Sequence, residues 1–136
     1  MASKKIEEIE GIGPTYGAKL RAADINTIDR LLKVGCTKGG RKEIAEKTGI
    51  NENHILSWVN MADLCRIKGV GQEFSELLER AGVDTVKELR NRNAANLADK
   101  LIEVNQEKKL TRRSPTSREV EAWVAEAKVL PPMVQY

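Results

Sequence analysis

Apolar residues recur along this chain at intervals of three and four, the spacing of helices that bury one face. Val120, Trp123, Val124 and Ala127 form such a face. The pattern predicts a helix over residues 3–9, a second from Pro14 to about Ala23, and a third over 28–34. Pro14 takes the first position of its helix, where a missing N–H costs nothing. Ile25, Asn26 and Thr27 read as a short extended link, with Asn26 or Thr27 as the cap of the helix that follows. Thr37 is placed to cap a helix running to about residue 47, and Gly49 to close it. Asn51 then caps a helix that carries Trp58 and runs to about residue 65.

The second half follows the same plan. Val83, Asp84 and Thr85 form the matching link, with Asp84 or Thr85 as cap, ahead of a helix over 86–91. Another helix is expected over 94–104, then a basic, looser stretch over 105–114. Thr116-Ser117-Arg118-Glu119 is a capping box, and Pro131-Pro132 stops the helix it opens. Residues 133–136 are left as a short tail, laid back on the core.

This parallel is a duplication. Ile9, Gly11, Gly13, Leu20, Ala23, Thr27 and Leu31 meet identical residues 58 positions later (9 to 67), at Ile67, Gly69, Gly71, Leu78, Ala81, Thr85 and Leu89. Tyr16 meets Phe74, Ile25 meets Val83 and Ile28 meets Val86. Asp24 meets Gly82, both able to end a helix in a left-handed conformation. Trp58-Val59 returns as Trp123-Val124 at a spacing of 65 (58 to 123), so the second copy carries about seven extra residues. The expected architecture is all-α, with one unit over 1–65 and another over 66–136. Each holds about five short helices packed around its tryptophan.

Each copy opens on a Gly-apolar-Gly turn between two helices. Glycine supplies angles that side chains forbid and bares the peptide N–H groups. Bare N–H groups ahead of a helix N-terminus suit an anion. Ile12 or Val70, between the glycines, is placed to tuck underneath. The residues Ile6, Ile9, Gly11, Ile12, Gly13, Gly17 and Leu20, and again Leu64, Ile67, Gly69, Val70, Gly71, Ser75 and Leu78, resemble the helix-hairpin-helix motif. That resemblance implies a SAM-like fold that grips nucleic-acid backbones without reading bases. The whole tandem pattern, with Trp-Val closing each unit, also resembles a bacterial domain family of unknown function built from such repeats.

Composition narrows the setting. The chain has 136 residues, 4% aromatic and 32% charged, so its core rests on Ile, Leu, Val and Ala. A net charge of +3 permits nucleic-acid binding and falls short of a strongly basic footprint. No apolar run is long enough to span a membrane, and the start is too acidic and broken for a signal peptide. Cys36 and Cys65 lack metal or CxxC spacing, which fits a reducing cytoplasm. The single histidine, His54, supports neither a metal cluster nor a Cys–His pair. No cofactor or hydrolase motif occurs, and a lysine nucleophile at Lys19 or Lys68 has nothing to lower its pKa. No enzymatic activity, metal, cofactor or small-molecule substrate is expected.

The candidate contacts are Gly11, Ile12, Gly13, Thr15 and Lys19 at the first turn, and Lys68, Gly69 and Gly71 at the second. The first turn is the better phosphate site, because Glu73, Glu76 and Glu79 follow the second and compete. Lys38, Arg41 and Lys42 flank Gly39-Gly40, and Lys109, Arg112 and Arg113 lie in the extra stretch. Both clusters would extend a backbone-binding path. A helix-turn-helix over residues 41–55, offering Asn51, Asn53, His54 and Ser57 to a major groove, is an alternative. A protein-interaction adaptor using the same corners is another.

Overall fold

The computed structural model describes residues 4–9 and 11–136. Among these the secondary structure is helical: a 3-10 turn, η1 (Ile6–Glu8), and eight α-helices. No helix among the described residues is long and apolar enough to cross a membrane. The chain divides into two units, one of Met1–Asp63 with Met133–Tyr136, the other of Leu64–Pro132.

The first unit begins extended. Lys5 and Thr27 form an isolated antiparallel bridge. The Ile6 N–H donates to Asn26 O and the Ile28 N–H to Lys4 O, both at 3.0 Å. This pairing replaces most of the helix expected over 3–9, because the backbone groups of a helix's first turn are spent on the Ile25–Thr27 link instead; Ser3 lies outside the described residues. Then come α1 (Gly13–Ala22), α2 (Ile28–Gly35), α3 (Lys38–Thr48) and α4 (Glu52–Leu64). Pro14 is the second residue of α1 rather than the first, still within the turn that lacks N–H partners. The Thr27 side chain accepts from the Arg30 N–H, and Thr37 from the Gly40 N–H. Gly49, at φ 73°, closes α3 by donating to Ala45 O. Asn51 Oδ1 accepts from the Asn53 N–H at 2.7 Å at the head of α4.

Ile6, Ile9, Ile12, Leu20, Leu31, Ile44, Ile55 and Trp58 make the core of this unit. Burying each such aliphatic side chain stabilises by about 1.5–3 kcal/mol. The connection into α3 is tight: a Cβ on Gly40 would overlap the Val34 carbonyl oxygen, while Gly39 faces open space. Only Gly39 is therefore free to admit an outside backbone; the fold itself needs Gly40 bare.

In the second unit, α5 (Gln72–Arg80), α6 (Val86–Leu89), α7 (Ala94–Lys108) and α8 (Ser117–Val129) follow one another. Thr85 caps α6 and Asn93 caps α7, through the Glu88 and Asn96 N–H groups. Thr116 and Glu119 complete the capping box of α8. Here α7 packs on α5 and α8, and α6 on α8. The core holds Leu77, Leu78, Val83, Leu89, Leu101, Val120, Trp123 and Val124.

Two boundaries differ from the expected ones. α6 stops at Leu89, and α7 runs on to Lys108. The extension exists because Asn105 faces inward. Its Oδ1 accepts from the Thr111 N–H at 2.9 Å, and its Nδ2 donates to Thr111 O and Ser114 Oγ. The extra residues are therefore one more helical turn plus a folded loop, where a loose stretch was expected.

Candidate nucleic-acid interface

Both Gly-apolar-Gly corners are built by one set of hydrogen bonds. The Ile9 N–H donates to Ile6 O and the Ile12 N–H to Ile9 O; Ile67 and Val70 do the same towards Leu64 and Ile67. At the far end of the second helix, Ile25 and Val83 donate to Leu20 and Leu78, each at 2.9 Å. Asp24 (φ 69°) and Gly82 (φ 93°) make the left-handed exits between them. Gly11 (φ 91°) and Gly69 (φ 88°) share a backbone that L residues rarely adopt. Gly13 is also left-handed at φ 54°. Gly71 is not: at φ −107° and ψ −158° it is extended, so only three of the four corner glycines are needed for their angles.

Each corner rests on the tryptophan of its own unit. A Cβ at Gly11 would lie 3.6 Å from Trp58 Nε1, and one at Gly69 would lie 3.4 Å from Trp123 Nε1. Tyr16 tilts on Trp58 with ring centroids 5.2 Å apart, as Phe74 does on Trp123 at 5.3 Å. Ile12 and Val70 are buried beneath the turns, so each can offer a ligand only its backbone.

The outer faces of the corners differ. Gly11, Gly13, Pro14, Thr15 and Lys19 are all exposed, and the space beside Gly13 is open for at least 4 Å. Among the described residues, none accepts a hydrogen bond from the Gly11 or Gly13 N–H. The first turn of α1 carries no acid. Arg21 is committed elsewhere on this helix. Its guanidinium grips Glu7 through two bonds of 2.7 Å, and those bonds hold the Glu7 carboxyl down to about 2. Glu7 reaches across because residue 17 is glycine; a Cβ there would lie 2.7 Å from Glu7 Oε2. Lys19 is the cation of α1 that no described carboxylate neutralises.

At the second corner a carboxylate of the same unit lies on the backbone. The Lys68 N–H donates to Glu126 Oε1 at 3.0 Å. Glu126 lies three residues past Trp123; three residues past Trp58 stands Met61, which cannot play that part. Glu73 adds a further negative charge in the first turn of α5. Glu126 was not among the residues singled out in the sequence. The Met61-to-Glu126 difference between aligned copies was the available signal.

The flanking clusters separate into free and engaged cations. Lys38 and Lys42 are exposed on α3, and α3 packs against α1. Arg41, expected beside them on the binding path, is instead only 5% exposed. Its guanidinium donates to Gly35 O at 2.8 Å and to Gln135 O at 2.5 Å. A buried group so placed is not available to a phosphate. In the second unit, Lys109 takes the left-handed end of α7 and is exposed, as is Arg112. Arg113 is bound bidentately by Glu119 at 2.6 and 2.9 Å and stacks over the Phe74 ring at 5.3 Å. That contact brings the inserted loop against α5, just past the second corner.

The stretch weighed as a helix-turn-helix forms α3, a Gly49 turn and α4. Asn51, Asn53 and His54 are exposed. The His54 ring nevertheless lies parallel to Trp58 at 5.9 Å and beside Tyr16, so it belongs to the support of the corner.

No solved structure matches the chain. The family model described as a domain of unknown function, DUF4332, matches residues 10–130. With nearly the whole sequence inside that match, the chain belongs to the DUF4332 family.

Proposed function

We propose that the two corners are helix-hairpin-helix motifs in tandem, and that the chain binds DNA through its backbone without regard to sequence. The first corner is the grip. Its amides and the N-terminus of α1 receive a phosphate oxygen, and Lys19 supplies the nearest free charge. Lys38 and Lys42 continue the path in the first unit; Lys109 and Arg112 offer a second basic surface on the other. A cytoplasmic setting, with Cys36 and Cys65 not joined in a disulfide, suits this role.

The observation that carries the reading is the contrast between the corners. One exposes two glycines whose N–H groups donate to no carboxylate among the described residues, and the other holds the Glu126 carboxylate on its Lys68 amide. Backbone-only contacts imply weak and salt-sensitive binding. With about four to six phosphates neutralised, log K falls against log salt with a slope of roughly −4 to −5, at micromolar affinity or weaker. Titrating duplex, single-stranded and branched DNA against salt tests this. Gly13→Glu and Lys19→Glu each weaken binding while helicity is kept; unchanged affinity in both removes the mechanism.

The rival reading is an adaptor that binds protein alone. The closed second corner and the engaged Arg41 and Arg113 favour it, because they leave a modest free positive charge. Absence of any salt-dependent DNA binding decides for it.

A further inference from the structure

Arg41 and Asn60 are both 5% exposed, and neither serves the corners. Within the first unit they converge on one short segment. Arg41 Nη2 donates to Gln135 O at 2.5 Å, and the Gln135 N–H donates to Cys36 O at 2.7 Å. Residue 135 is thus clamped at both of its main-chain groups. One position on, the Tyr136 hydroxyl donates to Asn60 Oδ1 at 3.1 Å. Just before it, Met133 and Val134 pack on the core of the unit. Bonds to the backbone combined with side chains seated on the receptor are a mode of peptide recognition.

The clamp is not a by-product of burial. No described carboxylate pairs with Arg41, and a guanidinium buried without counter-charge is costly. The Gln135 carbonyl is one of two acceptors that make it tolerable. The occupant is also detached in sequence from the unit it completes, because it follows all of the second unit. Arg66 Nη2 holds Pro131 O at 2.7 Å within that second unit, and the segment that belongs to the first unit begins at Met133.

We propose that the surface made by Cys36, Arg41 and Asn60 is a receptor groove for the segment Met133–Tyr136, and that a second copy of this chain fills it in trans. The bonds made between copies are those made within one, so exchange costs chiefly the freedom lost on association. The partner is a second copy because its segment already carries the side chains the groove accommodates.

Complementary full-length variants test this. Gln135→Pro removes the N–H that Cys36 receives, leaving the groove open and its own segment inactive. Arg41→Met disables the groove and leaves its segment free. Each alone sediments as a monomer, and an equimolar mixture sediments as a one-to-one dimer. A mixture that stays at monomer mass overturns the proposal. Should Arg41→Met fail to fold, a labelled peptide of residues 131–136 replaces it as donor. By fluorescence anisotropy that peptide binds the Gln135→Pro chain at least tenfold more tightly than the wild type, whose groove is filled. Equal binding to both, or none, overturns it.

Discussion

At the second corner Glu126 reaches back along the fold to accept from the Lys68 amide. The first copy has Met61 there. Replacing Glu126 with Met removes the internal acceptor and one negative charge. In a DNA titration the salt slope then steepens by about 0.9, one added phosphate contact; an unchanged slope means the second corner binds nothing even when open. Gly13 gives a test free of packing. Its φ is 54° and nothing stands within 4 Å of a Cβ there. Gly13→Ala destabilises by about 1 kcal/mol in urea unfolding, and Gly13→Asn by less, since Asn tolerates the left-handed region. Equal losses would mean that the angle is not what glycine supplies. Glu7 and Glu119 both ionise near 2 instead of 4.5, chiefly through hydrogen bonds from Arg21 and Arg113. A carboxylate whose pKa is lower in the folded state stabilises the fold above its unfolded value. That contribution is lost as pH falls from 4.5 towards 2. In acid titrations followed by circular dichroism, the Glu7→Gln/Glu119→Gln double variant declines less steeply across that window than the wild type. Superimposable curves would show that these exposed pairs add nothing in solution.

At the scale of elements, what could be read from the sequence is what is settled locally. Thr27, Thr37, Thr85 and Thr116 all cap the helices they precede, because a cap needs only a hydroxyl and the N–H three residues on. Gly49 ends α3 for a similarly local reason. The departures are non-local. The first turn lost its helix to Asn26 and Thr27, some twenty residues away. Arg41 sat in a visibly basic run, yet the acceptor that buries it is at Gln135. Glu126 and Lys68 are likewise 58 residues apart. Asn105 is the intermediate case, extending α7 through bonds to Thr111 and Ser114 that a run of basic residues disguised. Asn105→Ala leaves the Thr111 N–H without its acceptor. It costs about 1–3 kcal/mol, with hydrogen exchange at Thr111 rising ahead of the helix core. Exchange that rises uniformly would instead mean the loop has no stability of its own to lose.

For the molecule as a whole, duplication has produced two corners with one architecture and two electrostatic fates. The tryptophan, the aromatic beside it and the left-handed glycine are kept in both units. What surrounds them has diverged: His54 lies on Trp58 in one unit, while Glu119, at the aligned position of the other, pairs with Arg113 over Phe74. In the proposed function the first unit is the DNA contact, while the second keeps Glu126 on the Lys68 amide of its corner. The most direct measurement is the nitrogen–proton correlation spectrum of the full chain, titrated with a short DNA duplex at low salt. The amide signals of Gly11, Gly13 and Thr15 shift saturably, those of Lys68 and Gly69 stay in place, and added salt reverses the shifts. Signals at Gly11 and Gly13 that do not move while DNA is bound would contradict it.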